Sequence, residues 1–437
     1  MRFVKWLYPG MHIKRWLLLF GAGVLLVSLG LALVFNYKYL EHIEEAIFRF
    51  IYTWRGSYDY MATALVGVLI VVVGLLVMGL AMNYVINSVK TAVMPSEKNK
   101  LIDLIYEKRF LGKGPAVTVI GGGHGLSVLL RGIKQATTNI TAVVTVADDG
   151  GSSGRLREEL GIIPPGDMRN CLVALADTEP LMERLFQYRF DCSSALSGHS
   201  FGNLFIAAMS EVTDGDMEKA LEVSSKVLAV KGRVLPASTA HVRLDAIMED
   251  GTVVEGESNI PTVKKRIHRV QLYPKRARAV QSAVEAIMNA EAIVLGPGSL
   301  YTSVMPNLLI NGIADALRKT KAVKIYICNV LTQPGETDGY TASQHVRAII
   351  DHAGPGIIDY VLVNSAPLTA AEAASCAEAG AYPVEVDEPA LRRLGVKTLA
   401  ADLVSWTDNV HHDPEKLTHN VMRLIYELRE GHGNIED

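Results

Sequence analysis

Three apolar runs of strand-forming residues in this chain each end in a glycine-rich loop, and that pattern constrains the fold more than any other feature. Val117-Thr118-Val119-Ile120 ends at Gly121-Gly122-Gly123-His124-Gly125. Ala142-Val143-Val144-Thr145-Val146 leads into Asp148-Asp149-Gly150-Gly151-Ser152-Ser153-Gly154-Arg155, and Ala292-Ile293-Val294-Leu295 into Gly296-Pro297-Gly298-Ser299. A continuous Val/Ile run suits a parallel strand covered on both faces. Glycines at its carboxyl end let the backbone approach an anion, and the start of the next helix offers free N–H groups to it. Neighbouring ends of this kind form the nucleotide crevice of a doubly wound sheet.

Around these runs the pattern alternates. Strand-like segments at 116–121, 140–147, 291–295, 323–328 and 359–363 are interleaved with helical periodicity at 125–136, 275–290, 306–319 and 343–353. This predicts an α/β class, a Rossmann-like doubly wound parallel sheet. Residues 155–235 read as mainly helical. Val242–Met248, the turn Glu249-Asp250-Gly251 and Thr252–Glu255 predict an antiparallel flap inserted into that sheet.

The first 90 residues are of another kind. Trp16–Phe35 is 20 residues without a charge and Met61–Met82 is 22. Each is long enough to cross a hydrocarbon core of roughly 30 Å, and the first is too long for the apolar core of a signal peptide. The expectation is a transmembrane hairpin over 1–90 with helices at 16–35 and 61–82, a juxtamembrane helix and linker over 91–114 starting at Pro95, and a nucleotide-binding domain over 115–437. Arg2, Lys5, Lys14 and Arg15 precede the first span and Lys90, Lys98 and Lys100 follow the second, whereas the loop between them mixes both signs. The positive-inside rule then places the main domain in the cytoplasm, anchored to the inner membrane. The loop segment Leu40–Trp54 has helical amphipathic spacing suited to a surface. Neither span carries an ionisable residue, which argues for an anchor or dimer contact rather than a transport pathway.

Composition excludes several functions. The net charge of −3 and the absence of a basic tract interleaved with aromatics argue against nucleic acid as a partner. The four cysteines, Cys171, Cys192, Cys328 and Cys376, form no CxxC pair and hence neither a zinc site nor a disulfide framework. There is no Gly-x-Ser-x-Gly elbow, P-loop lysine motif or His-Glu-x-x-His. The first glycine loop is not a dinucleotide fingerprint either, because Leu126 and Val128 stand where GxGxxG needs glycine.

Chemistry-bearing residues cluster at the loops. Asp148 and Asp149 suit a sugar hydroxyl or a magnesium ion, and the glycines and serines after them supply donors for phosphate. In Pro164-Pro165-Gly166-Asp167-Met168-Arg169-Asn170, Asp167 is the expected N-cap and Arg169 an anion clamp. Gly198-His199-Ser200-Phe201-Gly202-Asn203 places His199 and Asn203 four apart, on one helical face, with Ser200 as a capping candidate. Gly296–Ser303 forms a second nest with Ser299, Tyr301 and Thr302. Asn329 ends a strand before the polar loop Thr332–Thr337.

The strings VIGGGHGLSVLLRGIK, TVADDGGSSGRLR, PPGDMRNCLVALA, LFQYRF, GHSFGNL, LGPGSLYTSVMPNLL, ICNVLTQPGETDGYTASQHV and VLVN, in this order from Val117 to Asn364, resemble the gluconeogenesis factor family (YvcK-like proteins). That family is related to the CofD-like 2-phospho-L-lactate transferases. The resemblance implies a Rossmann-like fold and a nucleoside-diphosphate ligand, a UDP-sugar such as UDP-N-acetylglucosamine, in a regulator of cell shape and of envelope or carbon metabolism under gluconeogenic growth. Carried over, it implies ligand contacts at Gly121, Gly122, Gly123, His124 and Gly125, and at Asp148, Asp149, Gly151, Ser152 and Ser153. It also implies them at Asp167, Arg169, Asn170, His199 and Asn203, and at Gly296, Gly298, Ser299, Tyr301, Thr302 and Asn329. No catalytic residue is assigned. The alternative is a transferase with magnesium at Asp148 and Asp149. His124 stands where the family usually has threonine. The membrane hairpin is expected to be an addition, since most members are soluble. A homo-oligomer and envelope-synthesis proteins are the partners this reading implies.

Overall fold

The computed structural model describes residues 14–34, 45, 49, 52–53, 60–93, 111–177, 180–191, 196–406 and 410–433. The chain divides into two units, Met1–Tyr106 and Glu107–Asp437.

The first unit is an antiparallel pair of helices, Lys14–Val34 and Tyr60–Val93. Both are long and apolar enough to cross a membrane, with mean hydropathy 2.6 over Arg15–Val34 and 3.0 over Ala64–Ser88. They meet along glycines. A Cβ on Gly30 would fall 2.7 Å from the Gly67 carbonyl oxygen, and one on Gly74 2.9 Å from the Val27 nitrogen, so the backbones touch where side chains are absent. Trp16 stacks on Tyr84 at 4.1 Å. Leu18, Leu25 and Leu69 face outward. The second helix runs eleven residues past the expected Met82, because Asn83–Val93 contains neither proline nor glycine to stop it. The expected helix from Pro95 lies outside the described residues, as does most of Leu40–Trp54.

The second unit is built on seven parallel strands. These are β1 (Val117–Gly121), β2 (Ile140–Val144), β3 (Arg233–Pro236), β7 (Ala292–Leu295), β8 (Val323–Ile327), β9 (Tyr360–Asn364) and β10 (Lys397–Ala401), in the order β10-β9-β8-β7-β1-β2-β3. Every residue of β1 and β7 is buried, as the continuous apolar runs require. Helices Gly123–Ile133, Gly166–Leu175, Ala342–Ala353 and Pro414–Gly433 are among those that cover its faces. Between β3 and β7 the chain forms a three-stranded antiparallel flap of β4 (Arg243–Met248), β5 (Val253–Glu255) and β6 (Ile267–Tyr273), ordered β5-β4-β6. A hairpin of β11 (Val404–Trp406) and β12 (Val410–His412) follows the main sheet.

The edge strands β3 and β10 are absent from the sequence-based reading. Arg233–Pro236 contains a proline and Lys397–Ala401 has two alanines, and tertiary pairing overrides those weak propensities. The helix expected over 306–319 is two helices, Met305–Leu309 and Ile313–Lys319, parted at Gly312, whose φ is +106°. A π-helical turn, Leu300–Val304, precedes them.

Candidate functional site

Strand order reverses at β1: the chain proceeds to β2 and β3 on one side, and from β7 to β10 on the other. The carboxyl ends of β1 and β7 therefore flank the topological switch point, where open parallel sheets bind ligands. The two glycine loops abut there. A Cβ on Gly125 would lie 2.8 Å from the Pro297 carbonyl oxygen, and one on Gly298 3.3 Å from that of Gly122. Asn307, fully buried, ties the halves by donating from Nδ2 to the Gly121 carbonyl at 3.1 Å and to that of Ser303 at 2.8 Å.

A cavity of about 430 Å³ opens at this junction. Gly122, Gly123, His124 and Gly125 line it from the first loop, and Gly298, Ser299 and Ser303 from the second. Gly123 begins the helix Gly123–Ile133 at φ +67°, so the first N–H groups of that helix lie in the loop that lines the cavity. Asn329 adds a further wall. Its Nδ2 donates to Gln333 Oε1 at 3.2 Å, and Gln333 Nε2 donates to Ser299 Oγ at 2.8 Å. The remaining wall includes His411 and His412 of the terminal hairpin, to which sequence reasoning assigned no role. Burial pushes the His412 imidazole down to about 4 despite its hydrogen bond to the Cys328 backbone, so it is neutral at pH 7.

The loop after β2 supplies the neighbouring wall. Asp148 Oδ1 accepts the Gly150 N–H at 2.9 Å, and Ser153 Oγ accepts that of Gly166 at 3.1 Å. Ser152 Oγ is met by His199 Nδ1 and by Asn203 Nδ2, each at 3.0 Å. His199 and Asn203 therefore converge as expected, although His199 precedes the helix Phe201–Val212 and is not on it. Ser200 is its N-cap, accepting the Asn203 N–H. Arg169 donates to Ser200 Oγ and to Asn170 Oδ1. Its Nε and the Oδ1 of Asn203 are buried without a partner.

Asp167 is not the N-cap. Pro165 holds that position and Asp167 sits in the first turn of Gly166–Leu175, where its carboxylate reaches the Gly123 N–H. Burial, with Asp148 close by, pushes it up to about 7. Asp148 is raised by burial as well. Two acids that sequence reasoning did not single out join them. Burial, with Asp148, Asp149 and Asp167 nearby, pushes Glu257 of the flap up to about 8. Glu336 rises to about 7 by burial, although Thr302 donates to it at 3.2 Å. Glu336 lies within the polar loop read from sequence, but nothing in the flap's alternating pattern marks Glu257.

Some expected residues stand back from the cavity. Tyr301 is 2% exposed and its hydroxyl pairs with that of Tyr340 at 2.9 Å, while Thr302 is spent on Glu336. Asp149 turns toward the flap, where its oxygens accept the N–H groups of Glu257 and Ser258 at 2.9 Å each. Among the described residues no group of three His, Cys, Asp or Glu side chains is arranged to hold a metal ion. The thiols of Cys171 and Cys328 are buried and pushed up, the latter to about 12, so neither is a thiolate nucleophile at neutral pH. The arrangement is suited to holding an anion on backbone N–H groups, with acceptors for hydroxyl or amide donors beside it.

Known proteins share this architecture. The family model for 2-phospho-L-lactate transferase CofD matches residues 117–404. A putative gluconeogenesis factor of Nostoc is 46% identical over 94% of this chain and 90% of its own length, and one from Clostridium acetobutylicum is 42% identical over 98% and 93%. These two alignments extend into the N-terminal apolar region, whereas the gluconeogenesis factor of Bacillus subtilis, 50% identical, matches 73% of this chain over 99% of its own length, so that region is an addition relative to some members of the family. A crystal structure of a Bacillus halodurans protein superposes with a TM-score of 0.69 at 53% identity, covering 72% of this chain and all of that one. On the glycine loops, the switch-point geometry and these alignments together, the chain belongs to the gluconeogenesis factor family and carries its CofD-like domain.

Proposed function

We propose that the crevice binds a nucleoside-diphosphate sugar of the UDP-N-acetylglucosamine type, and that the protein is a membrane-tethered regulator of cell shape and of envelope or carbon metabolism during gluconeogenic growth. The observation carrying this reading is the contact between the Gly122–Gly125 and Gly296–Ser299 loops at the switch point, beside the carboxylates Asp148, Asp167, Glu257 and Glu336. Backbone N–H groups suit a diphosphate, and carboxylates suit the hydroxyl and amide donors of a sugar.

The CofD match supports a second reading, a transferase that consumes its nucleotide. Calorimetric titration of the Glu107–Asp437 unit with UDP-N-acetylglucosamine, UDP, GDP and NAD separates the two when followed by product analysis. Binding of the UDP-sugar with the nucleotide recovered intact is the expected result. Steady release of UMP or UDP would establish the transferase instead.

A further inference from the structure

The segment that joins β5 to β6 runs Gly256 and then the 3₁₀ turns Glu257–Val263. It is fastened at both ends of its path. On one side Asp149, in the loop after β2, accepts the N–H groups of Glu257 and Ser258 at 2.9 Å each, and Gly256 comes so close that a Cβ there would lie 2.7 Å from Asp149 Oδ2. On the other side Pro261 presses on the loop after β8, where a Cβ on Gly335 would lie 2.2 Å from the Pro261 carbonyl oxygen. Ile260, fully buried, anchors the middle. Because the sheet runs β8-β7-β1-β2, a segment tied to the β2 and β8 loops bridges the two sides of the switch-point crevice. Glu257 feels carboxylates from both sides: Asp148, Asp149 and Asp167 from one, Glu336 from the other. Next to them Arg169 and Asn203, 8% and 2% exposed, keep buried polar atoms without a partner.

We propose that Gly256–Val263 is a strap over the crevice, that Asp149 is the positioning residue that latches it, and that Glu257 reads the uncharged, donor-rich sugar of the bound nucleotide. This rests on the nucleotide-sugar reading above. The burial and crowding that keep Glu257 protonated up to about pH 8 leave its carbonyl oxygen as an acceptor for hydroxyl and amide groups and disfavour one more carboxylate in the cluster, so the strap selects a neutral sugar over an acidic one. Asp149, with both oxygens engaged on the strap, acts on the ligand only through Glu257.

The test measures binding of UDP, UDP-N-acetylglucosamine and UDP-glucuronate to the full-length protein in nanodiscs, with hydrogen exchange at the Glu257 and Ser258 amides. Glu257→Ala should weaken UDP-N-acetylglucosamine about 5- to 150-fold and leave UDP within about twofold. At about pH 9, above the value near 8 at which Glu257 releases its proton, Glu257→Gln should narrow the wild-type preference for UDP-N-acetylglucosamine over UDP-glucuronate. Asp149→Ala should reproduce the loss of Glu257→Ala, the double variant should add nothing further, and both amides should exchange at least about tenfold faster. Additive losses, or equal losses for UDP and the UDP-sugar, would overturn the positioning role. Unchanged exchange in Asp149→Ala would overturn the latch itself. Failure of the wild type to bind any of the three ligands would remove the nucleotide-sugar reading and the role of Glu257 with it, while accelerated exchange would still establish the latch.

Discussion

At the scale of single residues, the same glycine string serves two purposes that the sequence cannot separate. Gly123 adopts a positive φ and borders the cavity, with only Ser303 Oγ near its missing Cβ. Gly122 is extended, and a Cβ there would lie 2.4 Å from Thr145 Cγ2 and 2.6 Å from Asp167 Oδ2, so protein packing rather than a ligand demands it. The same closeness packs half-buried Asp167 against the loop, with its carboxyl pushed up to about 7 by desolvation. An unfolded aspartate titrates near ~3.9. Between those values the folded chain keeps a proton that the unfolded chain has released, so this group's stabilisation is complete at low pH and is lost as pH rises through about 7. Urea unfolding of the Glu107–Asp437 unit should accordingly show stability falling from about pH 5 to about pH 8, with Asp167→Asn shallower. Glu257 and Glu336 act in the same direction and leave a residual slope in the variant. A wild-type stability that rises over that range would contradict the assignment.

Among elements, the helix Phe201–Val212 shows how a local signal and a site can share one residue. Ser200 caps it, as its place before an apolar helix predicts, and the same hydroxyl accepts from Arg169. Ser200→Ala should lower the unfolding free energy by about 1–3 kcal/mol, more than a cap alone, because the buried guanidinium loses an acceptor as well. Chemical denaturation gives that difference directly, and a change below about 0.5 kcal/mol would show that the Arg169 contact contributes nothing. The flap was legible as a hairpin from the Glu249-Asp250-Gly251 turn. Its third strand and its strap were not, since β6 pairs across an 18-residue separation and the strap is fixed by Asp149 from more than 100 residues away.

For the whole molecule, the two apolar helices and the distribution of basic residues predict both ends of the chain on the cytoplasmic side. A reporter active only in the cytoplasm should function when fused after Asp437, and one active only outside when inserted beside Ser57. The reverse pattern would invert the anchor. The sequence alone determined the parallel α/β class, the apolar helix pair and the glycine loops, because the first two are written in local periodicity and the loops in runs of the one residue that tolerates both positive φ and close backbone approach. Tertiary structure decided what faces the crevice. Tyr301 and Thr302, adjacent in sequence to a cavity-lining serine, turn inward on a π-helical turn, and Asp149 turns toward the flap. Glu257, His411 and His412 come to the site from remote segments with no motif of their own. Local chemistry sets which conformations a residue tolerates, whereas side-chain direction and burial depend on partners that only folding brings near.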